Sequence, residues 1–548
     1  MKSILIALRN KIKPINKRRF VCSSIFSFLL SIFLVIGHQM NETRMINWHL
    51  STPINIFIMF ALIETVTYIF IDKIKYKSDK KYNVKRWQIF LPLFLIAFFV
   101  LFACYPGNYN IDITYEWNIY KANSYSTHFP IFYNMVFCGL MDFLHSIFNS
   151  WEVAVFILNL AQITIVTLVV SEILFYLSKR IKNKNFTLLL TLYYIINPLF
   201  LTLIMSTSHD IGFAVIFALI VLETVKMVEN EDYFEKRINW LKFIFLTFMF
   251  CIFRNNGLFA IVPALILGLF FMKGKRIKFT AIVTIPLIMF IGYNQLIVNN
   301  VVTNKESVFR ESLNVPVNQM ARALYYNFPR AFSEEQYKYF EVECNWPYYG
   351  RYPMITDFQK RCLKTDYIEK HFFEFLAYWA KVGTKAPHRY VEAPFLFWLG
   401  AYYPFITYHD PSEDDPTLHG YVSYSIHRND GNVFLGRIDI DRYPHIKIVD
   451  KAMTELITNQ KWSKIFFFRV IWGGSFTTIL LIFTACYVAL KKQKKYFLPL
   501  CFIFGMLLTV LLSPVVLYRY MFPIVLSVPI MFYVILKCSE GKKREKTK

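Results

Sequence analysis

Long apolar runs alternate with short, mostly basic connectors along most of the chain. Runs of roughly 17–25 apolar residues suit helices that cross a bilayer, where every backbone group must be satisfied within the segment. Placing the basic connectors on the cytoplasmic side predicts spans at about residues 20–37, 53–72, 88–104, 151–177, 186–205, 211–228, 241–253, 257–272 and 279–298. Three more close the chain at about 466–490, 496–512 and 516–536, giving about twelve without an internal repeat. The first reads as an uncleaved signal anchor, because a basic N-terminus precedes it and no small-residue cleavage site follows. Residues 131–148 are apolar but carry Asn134, Asp142 and His145. As a span they would put Lys179-Arg180 outside, so a helix along the outer surface is expected, its polar residues facing water.

Residues 299–465 break the pattern. A polar segment this long needs its own structure. Ile368, Phe372, Phe375, Leu376 and Trp379 fall at helical spacing within Asp366 to Thr384, whereas His409 to Tyr443 is rich in Asp, Gly, Pro and Ser and reads as extended loops. The expected fold is an all-α polytopic membrane protein with a mixed extracytoplasmic domain before its last three helices. Its parts are a transmembrane module (1–298, with a first outer loop at 105–150), the outer domain (299–465), and closing helices with a basic cytoplasmic tail (466–548).

Composition agrees: of 548 residues 55% are hydrophobic and 18% charged, with a mean hydropathy of +0.37. The net charge of +24 sits in the connectors, such as Lys73 to Arg86, Lys491 to Lys495 and Lys537 to Lys548, while the long polar segment is close to neutral. That is the positive-inside signature of a protein whose partner is membrane lipid, with no nucleic-acid patch. Nine cysteines lie mostly in apolar runs. Cys344 and Cys362 lie in the polar segment, where pairing is open if that segment is extracytoplasmic. There is no CxxC, Walker loop or GxGxxG.

The third run stops at Tyr105-Pro106-Gly107, and Asp112, Glu116, Trp117, Lys121 and His128 follow directly. Ionisable groups pressed against a membrane exit are costly unless solvated or paired, which makes them site candidates as well as ordinary loop residues. Further polar points fall on the same predicted side: His209-Asp210, Arg254-Asn255, Gln319, Arg322 and Arg519. A carboxylate beside several arginines suits an acceptor hydroxyl attacking a carbon that bears a phosphate leaving group. Asp112 is the expected base and His128 its supporting donor. Glu116, one turn on if the stretch is helical, competes with Asp112 and is otherwise placed with the binding residues. Arg254, Arg322 and Arg519 are expected to converge on the phosphate, with His209, Asp210, Asn255 and Gln319 beside them.

Several stretches carry a resemblance: Tyr105-Pro106-Gly107 with Asp112, Ser126 to Pro130, Asn197-Pro198 with His209-Asp210, Arg254 to Gly257, Val315 to Arg322, Ala386 to Ala393, and Tyr518 to Pro523. Together they resemble the GT-C superfamily of multi-spanning glycosyltransferases, and within it an uncharacterised family of Gram-positive bacterial membrane proteins. The resemblance implies a polyprenyl-phosphate-linked sugar donor and a catalytic acid in the first outer loop, where Asp112 stands. Two departures are visible: His209 stands where a lysine would precede the second aspartate, and no adjacent acidic pair follows the third span. No cofactor and no metal site are therefore expected, although a divalent ion stays open. The partners expected are the lipid-linked donor and a cell-envelope acceptor, which is a wall polymer, a glycolipid or a protein. The main alternative is a transporter or flippase of a lipid-linked or anionic substrate, which should show polar residues near mid-membrane and on both faces. A third is an assembly factor with inert loops.

Overall fold

The computed structural model describes residues 16–79, 81–108, 111–254, 257–272, 274–303, 308–327, 334–342, 344, 350, 356–406, 440, 443–457, 461–514 and 516–540. These residues are overwhelmingly helical and form no strand beyond two isolated bridges. The longer helices are α1 (Lys17–Thr43), α2 (Ser51–Phe70), α3 (Arg86–Ala103), α4 (Ile111–Lys121), α5 (Ile131–Phe148), α6 (Trp151–Ile181), α7 (Lys184–Ile195), α8 (Pro198–Ile204), α9 (His209–Glu229) and α10 (Arg237–Phe253). Next come α11 (Gly257–Phe271), α12 (Arg276–Tyr293), α13 (Asn314–Asn327), α14 (Phe372–Lys385), α15 (Pro387–Phe397) and α16 (Lys447–Ile457). The last four are α17 (Gly474–Lys491), α18 (Phe497–Leu511), α19 (Tyr518–Leu526) and α20 (Val528–Glu540).

Ten of the described helices are long and apolar enough to cross a membrane, or eleven if the bent pair α7–α8 is one span. The protein is an all-α, multi-pass membrane protein. The count departs from the expected twelve for local reasons. α10 and α11 are 17 and 15 residues long, at and below the shortest helix that crosses a bilayer. The expected span 186–205 bends by 64° at Asn197-Pro198. Pro198 cannot donate into the preceding helix, and the Asn197 side chain accepts from the amides of Leu199 and Phe200, starting a new one. The expected span 466–490 begins only at Gly474, after a separate turn at Phe466–Trp472.

Residues 131–148 differ from expectation in another way. They are long and apolar enough to span, and neighbouring helices supply contacts for their polar residues. Asn134 is buried and donates to the Glu116 carbonyl at 2.8 Å. Asp142 pairs with Lys121 at 2.7 Å, and the His145 ring stacks on Trp151 with centroids 3.6 Å apart. Helix α4 lies along α5 and supplies the partners of Asn134 and Asp142, and α6 supplies Trp151 to His145.

Packing centres on α9 and on α19–α20, which are 72% and 83% buried over their most apolar windows, against 11% for α2. The basic connectors gather at one end of this bundle. Lys491 and Arg19 both pair with Asp72, Asn183 donates to the Lys77 carbonyl, Lys537 to the Arg180 carbonyl, and Lys278 pairs with Glu235. Two acids of α9 sit near this end as well: Glu223 with Lys226 and Lys242, and Glu229 with Arg180 and Tyr496. This end of α9 thus carries closed ion pairs.

Part of the polar segment has a core of its own, built from Val317, Met320, Leu324, Tyr339, Phe375 and Tyr378. Cys344 and Cys362 are disulfide-bonded beside it. The helix expected over 366–384 is observed as Thr365–Lys370 and α14, broken at His371. The described part is helical, whereas a mixed domain was expected. Most of the stretch read as extended, His409 to Tyr443, lies outside the described residues.

Candidate functional site

Two chain reversals are laced together at the end of the bundle opposite the basic connectors. Helix α3 ends at Ala103, shortly before Tyr105-Pro106, and Gly107 turns with φ of +101°. A Cβ there would meet Asn159 Nδ2 at 2.6 Å and the Met205 carbonyl at 2.9 Å, so only glycine fits. The Asn108 amide donates to the Met205 carbonyl, Thr207 donates back to the Asn108 carbonyl, and Asn108 Nδ2 donates to Ser206 Oγ at 2.8 Å. From α6, Asn159 donates to the Pro106 carbonyl and Gln162 to the carbonyls of Ile204 and Ser206. The exit from α3 is thereby fixed against the approach to α9.

This lacing brings two helix N-termini together. Asp112 lies in the first turn of α4, and His209 and Asp210 in the first turn of α9, where Ser208 Oγ accepts from the Asp210 amide. Carboxylates are favoured there, since the unpaired amides and the helix dipole are positive. Arg254, at the C-cap of α10, sets Nη1 2.5 Å from Asp210 Oδ1. Arg519, in the first turn of α19, hydrogen-bonds Asp112 and lies 3.6 Å from Asp210 Oδ2. The Tyr520 ring lies 4.3 Å from one guanidinium and 4.8 Å from the other, a cation–π partner for both.

Behind the carboxylates sits a second pair. Glu116 Oε1 is hydrogen-bonded to His209 Nδ1 at 3.0 Å, and His209 Nε2 is 3.6 Å from Asp210 Oδ1. Glu116 is fully buried, its Oε2 has no hydrogen-bond partner among the described residues, and Tyr133 stands edge-on to the His209 ring at 5.7 Å. Burial pushes the Glu116 carboxyl above the usual carboxylate range; Asp112 and Asp210 push the same way and His209 opposes them.

The candidate residues therefore divide. Asp112, Glu116, His209, Asp210, Arg254 and Arg519 form one connected cluster. His128 has an exposed residue position, its amide bonded to Ser126 Oγ and its ring edge-on to Phe129. Arg322 departs from the expected convergence. It is fully buried and held by Glu392 at 3.1 Å and by the Arg44 carbonyl. Glu392 also binds Arg389, Trp48 Nε1 and the Ile46 amide. Arg322 thus joins the α1–α2 turn to the helices of the polar segment. Gln319 is likewise occupied, donating to the Tyr390 carbonyl and accepting from Trp379. Asn255 lies outside the described residues. The sequence reading missed Tyr520, although it stands within the stretch Tyr518 to Pro523. It also missed Tyr133, a lone tyrosine in an apolar run that offers no signal.

Within the cluster two arginines balance the two aspartates. Of the two acids the Asp112 side chain is 24% exposed and that of Asp210 1%, so Asp112 is the one an incoming molecule can reach. Near Arg254 in the chain, Ile252 and Leu258 line a mainly apolar cavity of about 270 Å³ with Phe129, Phe290 and Tyr293. Among the described residues no group of three or more His, Cys, Asp or Glu side chains is placed to hold a metal ion.

A family model described as a family of unknown function (DUF6020) matches residues 115–345. That stretch contains Glu116, His209, Asp210 and Arg254 and stops short of Asp112 and Arg519. No curated protein and no solved structure matches the chain.

Proposed function

We propose that this protein is a GT-C-type membrane glycosyltransferase moving a sugar from a polyprenyl-phosphate-linked donor to an extracytoplasmic cell-envelope acceptor. The observation that carries this reading is the convergence of Asp112, Asp210, Arg254 and Arg519 from four distant segments, at the ends of apolar helices. In this reading Arg254 and Arg519 hold the phosphate, because guanidinium forks match its oxygens and keep their charge. The acceptor hydroxyl attacks the sugar carbon, and Asp112 takes its proton as the new C–O bond forms. The bond to the phosphate oxygen breaks, and the lipid phosphate leaves with the electron pair. A short length of the lipid chain fits the cavity beside Ile252 and Leu258, which falls below the roughly 300–1,000 Å³ of pockets for whole drug-sized ligands.

We place the site on the outer side, because the basic connectors meet at the opposite end. Residues 299–465 go outside with it, in keeping with the Cys344–Cys362 disulfide, a bond that persists in oxidising compartments. A comparison of lipid-linked sugars and envelope glycans in cells with and without the protein tests the reading. Loss of one glycan substituent with accumulation of its lipid-linked donor is expected; unchanged profiles of both would overturn it. A transporter or flippase draws on one observation, Glu64 buried within α2 and bonded to Ser23 at 2.5 Å. It would leave glycosyl transfer intact in open membrane fragments lacking the protein.

A further inference from the structure

Six charged or titratable side chains meet at the site, and their connection runs in one line. Glu116 on α4 binds His209 through Nδ1, His209 faces Asp210 through Nε2, and Asp210 meets both Arg254 and Arg519. Asp112 meets Arg519 from the other side. The two arginines neutralise Asp112 and Asp210, so a neutral resting cluster has one proton shared between Glu116 and His209.

An anion that takes over both guanidiniums changes this sum. Asp112 is partly exposed and can turn to water. Asp210 is 1% exposed and cannot. Stripped of its arginines it would be a buried carboxylate without a counter-charge, which is strongly unfavourable. The groups facing His209 are Glu116 from α4, Tyr133 from α5, Arg254 from the end of α10 and Asp210 beside it. Among the described residues Asp210 is the one of these at Nε2, 3.6 Å away, while Nδ1 is taken by Glu116.

We infer that Glu116 and His209 are positioning residues that take up a second proton when a phosphate-bearing lipid binds. His209 then replaces the arginines as the counter-ion of Asp210. The inference rests on the phosphate-binding reading above and adds a role that reading does not need. Its balance is simple: one phosphodiester charge enters, one proton enters from solvent, and no covalent bond changes. Glu116 keeps the ring turned so that Nε2 faces Asp210 and not the apolar wall.

Methyl farnesyl phosphate, a phosphodiester with a single charge across the working range, serves as the probe. Binding heats of the full-length protein in nanodiscs, measured at one pH in two buffers of different ionisation enthalpy, count the protons taken up. Wild type should bind with uptake of about one proton. His209→Gln should bind at least about tenfold more weakly with almost no uptake. His209→Lys brings a fixed cation and should recover most of the affinity, again without uptake, which a merely structural histidine would not allow. Binding by wild type with no proton uptake overturns the inference and leaves the phosphate reading standing. So does a His209→Gln protein, still monodisperse and with unchanged melting temperature, that binds as wild type does. Failure of wild type to bind the probe overturns the phosphate reading, and the inference falls with it.

Discussion

Asp112→Asn should move binding and turnover in opposite directions. In the resting site Asp112 is the partner of Arg519, so it competes with any anion for that guanidinium. The amide keeps the side-chain shape and removes the charge. Exposed ion pairs are worth up to about 1 kcal/mol, and the Asp112 side chain at 24% exposure sits near the top of that range. Relief of the competition should therefore tighten phosphodiester binding roughly fivefold, since 1.4 kcal/mol is a factor of ten. Transfer should fall at least about a hundredfold, the usual consequence of losing a general base. Purified protein in vesicles, given lipid extract from cells lacking it, reads transfer by label incorporation, and titration with methyl farnesyl phosphate reads affinity. Weaker binding would show that Asp112 does not compete for Arg519, and transfer near the wild-type rate would hand the base role to Glu116 or Asp210.

The two classes of arginine should separate. Arg254→Lys keeps charge but loses the planar fork, and should raise the apparent KM for the donor with little change in melting temperature. Arg322→Ala instead leaves a cavity and takes one of the two arginine partners from buried Glu392, which keeps Arg389, and should be seen as a lower melting temperature or loss of folded protein. Gly107→Ala should destabilise by at least about 1–2 kcal/mol from its backbone angle alone, and activity should fall with it because the lacing holds Asp112 against Asp210. Cysteines at Glu369 and Lys494, introduced singly, should label from outside intact cells at 369 and only after permeabilisation at 494. The described free cysteines are buried and give little background. Outside labelling at 494 would reverse the orientation.

Much of this site was legible because ionisable residues beside a membrane exit stand out against apolar runs. Asp112, Glu116, His209, Asp210, Arg254 and Arg519 could each be named from that contrast. Their pairing could not, since Asp112 and Arg519 are far apart in the chain and no local pattern joins them. Arg322 shows the opposite error. Its surroundings looked like those of the other arginines, but Glu392, its partner, lies 70 residues on. Nothing in either stretch announces that the two close a buried joint. The count of long apolar helices differs from the expected one for a related reason. Apolar content gave α10 and α11 enough hydrophobicity to resemble spans, while their 17 and 15 residues leave them short. Asn134 and Asp142 were assigned to water because the helix that covers them, α4, was only a conditional reading.

The placing of Arg519 near the far end of the sequence sets an order of assembly. Asp210 can meet Arg254 soon after both are made, being 44 residues apart. Arg519 follows Asp210 by 309 residues, which at about 5–20 residues per second is roughly 15–60 s of translation. Until α19 inserts against α9, Asp112 has no Arg519 and Asp210 is only half neutralised. The nascent chain therefore holds an unfinished, negatively charged pocket at the membrane surface throughout the synthesis of α12 to α18. Insertion of the last helices both completes the bundle and discharges that pocket.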